Sequence, residues 1–184
     1  SMIQSEGGER RIYAGYHDIT REREEQEQLR RKYNDLIVQH YRTPGPNALV
    51  VGHCDVTQNK ILEIIDYTHS DLLKTFGSER ESFFTGLSQF IVDAEERRKF
   101  LSAYLNEPSL AAYARGETEL IQKCFIQLPR GKTGRYAQFK INLVKAPDSG
   151  DITGILTVTD VTEQTIEDGI LRRLSVANCD LVAD

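Results

Sequence analysis

The chain has 184 residues, 39% of them hydrophobic, with 23 Lys and Arg against 28 Asp and Glu and a formal net charge of -5. That is one domain with appendages: apolar enough to build a core, too polar for every segment to lie in one. No apolar run nears the roughly 18 residues of a membrane span, the start lacks the basic and apolar parts of a signal peptide, and a mildly acidic chain argues against general nucleic-acid binding.

Ser1-Met2 reads as an expression scar. Arg11-Ile12-Tyr13-Ala14-Gly15-Tyr16 is a β-like run that ends in His17-Asp18-Ile19-Thr20. From Thr20 to Tyr41 no Gly or Pro occurs and strong helix formers dominate, so a charged helix is expected. On it Leu29, Tyr33, Leu36 and His40 recur at spacings of four, three and four, and Ile37 widens the stripe. This is the narrow apolar seam of a coiled coil or of a helix packed on a partner. Pro44-Gly45-Pro46 stops it.

Residues 48–54 and 60–66 are short apolar runs separated by Thr57-Gln58-Asn59, a hairpin. From Ser70 to about Arg115 the pattern is helical. Leu72, Leu73 and Phe76 mark a short piece closed by Gly77, and Phe83, Phe84, Leu87, Phe90 and Ile91 form a stripe. Asp93 with Glu96 three residues on is a capping pattern for the next helix, whose inner face carries Phe100, Leu101, Tyr104 and Leu105. Pro108 is expected to end that helix. Three strands follow, at 119–128, 135–145 and 152–160, joined by turns at Gly131-Lys132-Thr133-Gly134 and Asp148-Ser149-Gly150. The first turn holds a Gly-Lys-Thr string but not the remainder of a phosphate-binding loop. The order is two strands, short helices, then three strands: an α+β domain with an antiparallel sheet.

After Thr162 a second helix carries Ile166, Ile170, Leu174, Ala177 and Leu181 on one seam. Its entry repeats the N-terminal one. Asp18-Ile19-Thr20 and Asp160-Val161-Thr162 are each followed by Leu-Arg-Arg at the same offset, as Leu29-Arg30-Arg31 and Leu171-Arg172-Arg173. An Asp at a strand end can accept from the N–H two residues on, and a Thr hydroxyl can cap the first helical turn. The motif therefore turns a strand into a helix, and two copies suggest two domain ends in one chain.

A last strand ending in Asp-[Ile/Val]-Thr and running into a charged helix resembles a PAS sensory domain of bacterial signalling proteins, as does the order of strands and helices. The resemblance implies a PAS-like five-stranded antiparallel sheet with short helices between strands 2 and 3, flanked by linker helices. It divides the chain into 1–20, the last strand of a preceding PAS-like domain; 21–43, a coiled-coil linker; 44–163, a complete sensor domain; and 164–184, an output linker. The parent would be a cytoplasmic bacterial sensor histidine kinase or diguanylate cyclase. This chain has neither a Gly-Gly-[Asp/Glu]-[Asp/Glu]-Phe motif nor a kinase glycine box, so no enzyme activity is expected of it. An unrelated small α+β enzyme is the minor alternative.

The resemblance also implies site roles. A pocket between sheet and helices would be lined by His53, Ile64, Phe83, Phe90, Phe125, Phe139 and Leu156, and would hold a small-molecule ligand. Asp18, Thr20, Asp160 and Thr162 would form the signal-relay motif. Leu29, Tyr33, Leu36, Ile37, Ile166, Ile170 and Leu174 would be the seam of a parallel homodimer. The alternative is a ligand-free dimerisation spacer. The cofactor is unknown: the flavin-sensor string Asn-Cys-Arg-Phe-Leu-Gln is absent, and haem, which needs an axial histidine on the helical side, has His69 as its one candidate and is not expected. Cys54, Cys124 and Cys179 are scattered and show no zinc spacing. Their small, odd number fits a reducing compartment.

Overall fold

The computed structural model describes the backbone of residues 2–42 and 44–183 and the side chains of residues 19–41 and 44–174. In chain order the elements are α1 (Met2–Arg42), β1 (Ala48–Asp55), β2 (Lys60–Asp66), α2 (Leu72–Phe76), α3 (Arg80–Ser88), α4 (Ala94–Tyr104), α5 (Asn106–Ala114), β3 (Glu119–Ile126), β4 (Arg135–Lys145), β5 (Ile152–Asp160) and α6 (Thr162–Ala183). The five strands form one antiparallel sheet in the order β2-β1-β5-β4-β3. Helices α2 to α5 lie between the second and third strands, as the alternation of periods predicts.

Strand alternation splits the sheet into two faces. Val50, Gly52 and Cys54 of β1 stand beside Val158, Leu156 and Gly154 of β5, and Leu156 and Val158 stand beside Ile141 and Phe139 of β4. This inner face packs with Phe83, Phe84, Leu87, Phe100 and Tyr104 from α3 and α4 to make the core. The outer face carries Val51, His53, Ile155 and Thr157, and α1 packs across it on β1 and β5.

Local chemistry fixes the helix ends. Asp93 caps α4 by accepting from the Glu96 amide at 2.8 Å, as its spacing predicts. Gly77, at φ 84°, ends α2 in a conformation that side chains avoid. Pro108 does not end α4: that helix stops at Tyr104, Leu105 is extended, and Pro108 sits in the first turn of α5. A proline is tolerated there because first-turn amides have no partner inside the helix.

Three further expectations are corrected. Residues 11–16, read as a strand, lie within α1. No strand of the sheet pairs with them, and a helix satisfies its backbone groups without a neighbour, which a lone strand cannot do. Asp18-Ile19-Thr20 is consequently helical and marks no strand end; the Asp18 side chain lies outside the described residues. The α1 seam meets its own sheet: Tyr33, Leu36, Ile37 and His40 are half-buried, while Leu29 is 53% exposed. The Thr162 hydroxyl does not cap α6. It donates to Asp160 Oδ1 at 2.6 Å and accepts from the Tyr136 amide at 2.9 Å, tying the start of α6 to β4.

Candidate functional site

The candidate site is the interior between the inner sheet face and α2 to α5. Five of the seven expected lining residues face it: Ile64, Phe83, Phe90, Phe139 and Leu156. Phe83, Phe139 and Leu156 are fully buried. His53 and Phe125 do not face it. His53 pairs with Ile155 on the outer face, and Phe125 packs edge-on against Tyr136 with ring centroids 5.1 Å apart. Strand alternation puts both on the side opposite the helices. In the β1–β2 pairing an irregularity between His53 and Cys54 obscures the register further.

The interior is filled by rings. Phe100 stacks on Tyr104 at 4.6 Å and meets Phe139 edge-on at 4.9 Å, and the Tyr104 hydroxyl donates to the Phe139 carbonyl at 2.9 Å. That bond satisfies the one polar group such a ring brings inside. The space left beside Leu72, Leu87, Phe90, Ile126, Phe139 and Val158 is about 10 Å³, at the lower limit for a single water. A groove of about 490 Å³ runs outside it along Ile64, Asp66, His69, Asp71, Leu72, Leu73 and Lys74. Asp66 shapes its rim by accepting from the amides of Thr68, Ser70 and Leu72. The exposed His69 lies in this groove, away from the core, with φ 56°. Among the described residues no group of three or more His, Cys, Asp or Glu could hold a metal.

One charged side chain is wholly inside. Arg80 is 0% exposed. Its Nε donates to Cys54 Sγ at 3.2 Å, its Nη1 donates to Asn106 Oδ1 at 2.7 Å, and its guanidinium lies 4.4 Å from the Phe84 ring centroid. Cys54 Sγ in turn donates to the Gly154 carbonyl at 3.4 Å. Burial pushes the Cys54 thiol up, against the opposing effect of Arg80; the sulfur accepts from Arg80 on one side and donates to Gly154 on the other. Arg80 and Asn106 escaped the sequence reading because an arginine between two glutamates at a helix start looks solvent-facing.

On the outer face the Tyr33 hydroxyl and His53 Nε2 are 2.7 Å apart. His40 reaches Asn142 at 3.3 Å and Thr157 at 3.4 Å. Burial lowers the pKa of both histidines, with Lys140 adding to the effect at His40 and Glu63 and Asp55 opposing it at His53. Arg30 and Asp148 form an exposed pair at 2.8 Å. These contacts hold α1 on β1, β4 and β5 and on the turn between β4 and β5.

Asp160-Val161-Thr162 sits where β5 becomes α6. Asp160 Oδ1 accepts from the Thr162 amide at 2.9 Å as well as from its hydroxyl, and Oδ2 lies 3.6 Å from Arg135. Beyond the joint, Ile166, Ile170, Leu171 and Leu174 are 51–63% exposed. No helix among the described residues is long and apolar enough to cross a membrane.

No family model and no curated protein matches the chain. Solved structures do. The PAS domain of Bordetella pertussis BvgS is 16% identical, covers 82% of this chain and 98% of its own, and superposes with a TM-score of 0.40. The PAS domain of the fruit-fly ELK potassium channel is 13% identical over 69% of this chain and 97% of its own, with a TM-score of 0.40. The N-terminal domain of a Marinobacter aquaeolei diguanylate cyclase with PAS/PAC sensor is 9% identical over 63% and 97%, with a TM-score of 0.37. The antiparallel sheet ordered β2-β1-β5-β4-β3, with its helices between β2 and β3 and Asp160-Val161-Thr162 at its exit, is the five-stranded arrangement that the PAS resemblance implies for this chain.

Proposed function

We propose that the chain is a sensory module that passes a rearrangement of its core to α6, and through α6 to a covalently linked output domain of the histidine kinase or diguanylate cyclase kind. Any enzyme activity belongs to that output domain. The observation that carries this reading is the continuity of β5 with α6. Leu156 and Val158 are buried core residues of the same strand that ends in Asp160, and Asp160 and Tyr136 together fix the first residue of α6. A shift of β5 against β4 therefore cannot leave the start of α6 unmoved. Two packings of this joint would give output two levels.

The test is amide hydrogen exchange in residues 162–174. Val158→Ala leaves a small cavity two residues before Asp160 and is expected to raise exchange there more than does an α5 substitution of matched stability loss. Equal exchange in both variants overturns the relay.

The filled interior favours a second reading, a ligand-free dimerisation spacer, because space of about 10 Å³ holds no organic ligand. Native mass spectrometry separates the two. A retained small molecule removes the spacer reading, and so does a monomer at high concentration.

A further inference from the structure

Arg80 poses a problem of charge. A buried cation is costly unless it is paired, and among the described residues no carboxylate oxygen lies within 4.0 Å of its guanidinium. Its Nη2 is buried without a hydrogen-bond partner. The partners it does have are a cysteine sulfur, an amide oxygen and a ring face, with no carboxylate among them. Glu81 and Glu107 lie in the first turns of α3 and α5, but neither carboxylate reaches the guanidinium. Arg80 opens α3 and Asn106 opens α5, so two helix N-termini meet at this point.

Asn106 is the informative residue. An aspartate has the same shape and would neutralise Arg80 from that position, yet the chain carries the amide. The Asn106 backbone is held separately, through its N–H to Glu81 Oε1 at 3.2 Å, so its side chain can turn without unseating α5. Asn106 is also half-exposed. The buried Nη1 therefore bonds a residue that solvent touches.

We propose that Arg80 is the receptor for a small carboxylate, which reaches it from the surface beside Asn106. As the Asn106 amide swings out, the two carboxylate oxygens accept side by side from Nη1 and Nη2, the bidentate geometry in which a guanidinium binds this group best. The anion occupies the volume that the amide vacates, so a filled core does not stand in the way. The purpose of the site rests on the sensory reading above. Arg80 bonds Cys54, Cys54 bonds the Gly154 carbonyl, and Gly154 lies on β5, the strand that leads to Asp160 and α6.

The experiment is thermal unfolding of the 184-residue protein in sodium acetate against sodium chloride at equal ionic strength. Acetate is expected to raise the melting temperature saturably, by about 3 °C. Arg80→Met, which keeps the packing and removes the charge, abolishes the acetate-specific rise. Asn106→Ala reaches half-saturation at lower acetate. Asn106→Asp melts higher than the native chain in chloride and no longer responds to acetate, because its own carboxylate holds the site. If Arg80→Met does not fold, the Asn106 variants decide. The proposal falls if the native chain and Asn106→Ala respond alike to acetate and chloride, or if Asn106→Asp melts below the native chain. Hydrogen exchange in residues 162–174 separates this failure from that of the sensory reading. Acetate that binds without altering exchange there supports the anion site and removes its signalling purpose. Absent binding with the Val158→Ala relay intact removes the anion site alone.

Discussion

At the scale of single residues, Asp160 does more than its 3.6 Å pair with Arg135 suggests, since exposed ion pairs contribute little. Its weight lies in the amide and hydroxyl of Thr162, which it gathers at 2.9 and 2.6 Å. Asp160→Ala is expected to cost about 1–2 kcal/mol in urea unfolding, and Asp160→Asn, which keeps an acceptor oxygen, distinctly less. Equal losses would show that charge and not acceptance matters. The cysteines test burial. Cys54 and Cys124 are both buried, and desolvation, with Glu96 adding to it, pushes the Cys124 thiol up to about 12. Thiolate is the form that attacks. In a Cys179→Ser background an aromatic disulfide reagent at pH 8 is expected to label the native protein far more slowly than the urea-unfolded chain; rapid native labelling contradicts this. Residues whose role is local were legible in the sequence: Asp93 and Asp160 follow from spacing to an amide. Arg80 was not, because only the tertiary fold decides that a charged helix start turns inward.

At the scale of elements, α1 shows what periodicity can and cannot tell. The stripe through Tyr33, Leu36 and His40 fixes which face of the helix is apolar, and it says nothing of what covers that face. Here β1 and β5 cover it, partly through two histidines. Burial holds both imidazoles below the ordinary 6.5, so below that pH the unfolded chain binds protons that the folded one refuses. Stability is therefore present above 6.5 and is lost as pH falls toward and through the folded values. Lys140 beside His40 deepens the loss, and Glu63 and Asp55 beside His53 moderate it. The urea midpoint should fall between pH 7.5 and 5.5, and should fall less in His40→Gln/His53→Gln. Identical slopes would place the pH dependence elsewhere. The α2–α3 contact is a matter of shape. A Cβ on Gly86 would run into the Phe76 ring, which itself packs edge-on to Phe83 at 6.2 Å. Gly86→Ala is expected to cost about 1–3 kcal/mol through overpacking, read from the same unfolding curves. An unchanged midpoint would mean that α2 moves freely on α3.

At the scale of the whole molecule, the two flanking helices are in different situations, although Leu-Arg-Arg follows an Asp-[Ile/Val]-Thr string at the same offset in both. The seam of α1 is largely engaged on its own sheet, whereas Ile166, Ile170, Leu171 and Leu174 of α6 face solvent. A helical stripe of large apolar side chains left in water gains free energy when a second copy covers it. If the chain associates, α6 is therefore the expected seam, and the Tyr33–His40 stretch of α1 is not. Light scattering across a concentration series should show a dimer for the native protein and a monomer for Ile170→Glu/Leu174→Glu. These side chains are exposed, so the paired substitution should leave the unfolding of the core within about 0.5 kcal/mol of the native value when both are measured as monomers. Tyr33→Ala should do the reverse: it removes the contact with His53 and weakens the fold, and it leaves the association constant unchanged. A native chain that stays monomeric at high concentration, or a dimer that survives both glutamates, would place the interface elsewhere, with the outer sheet surface at Ile121 and Tyr136, 51% and 37% exposed, as the next stretch to change.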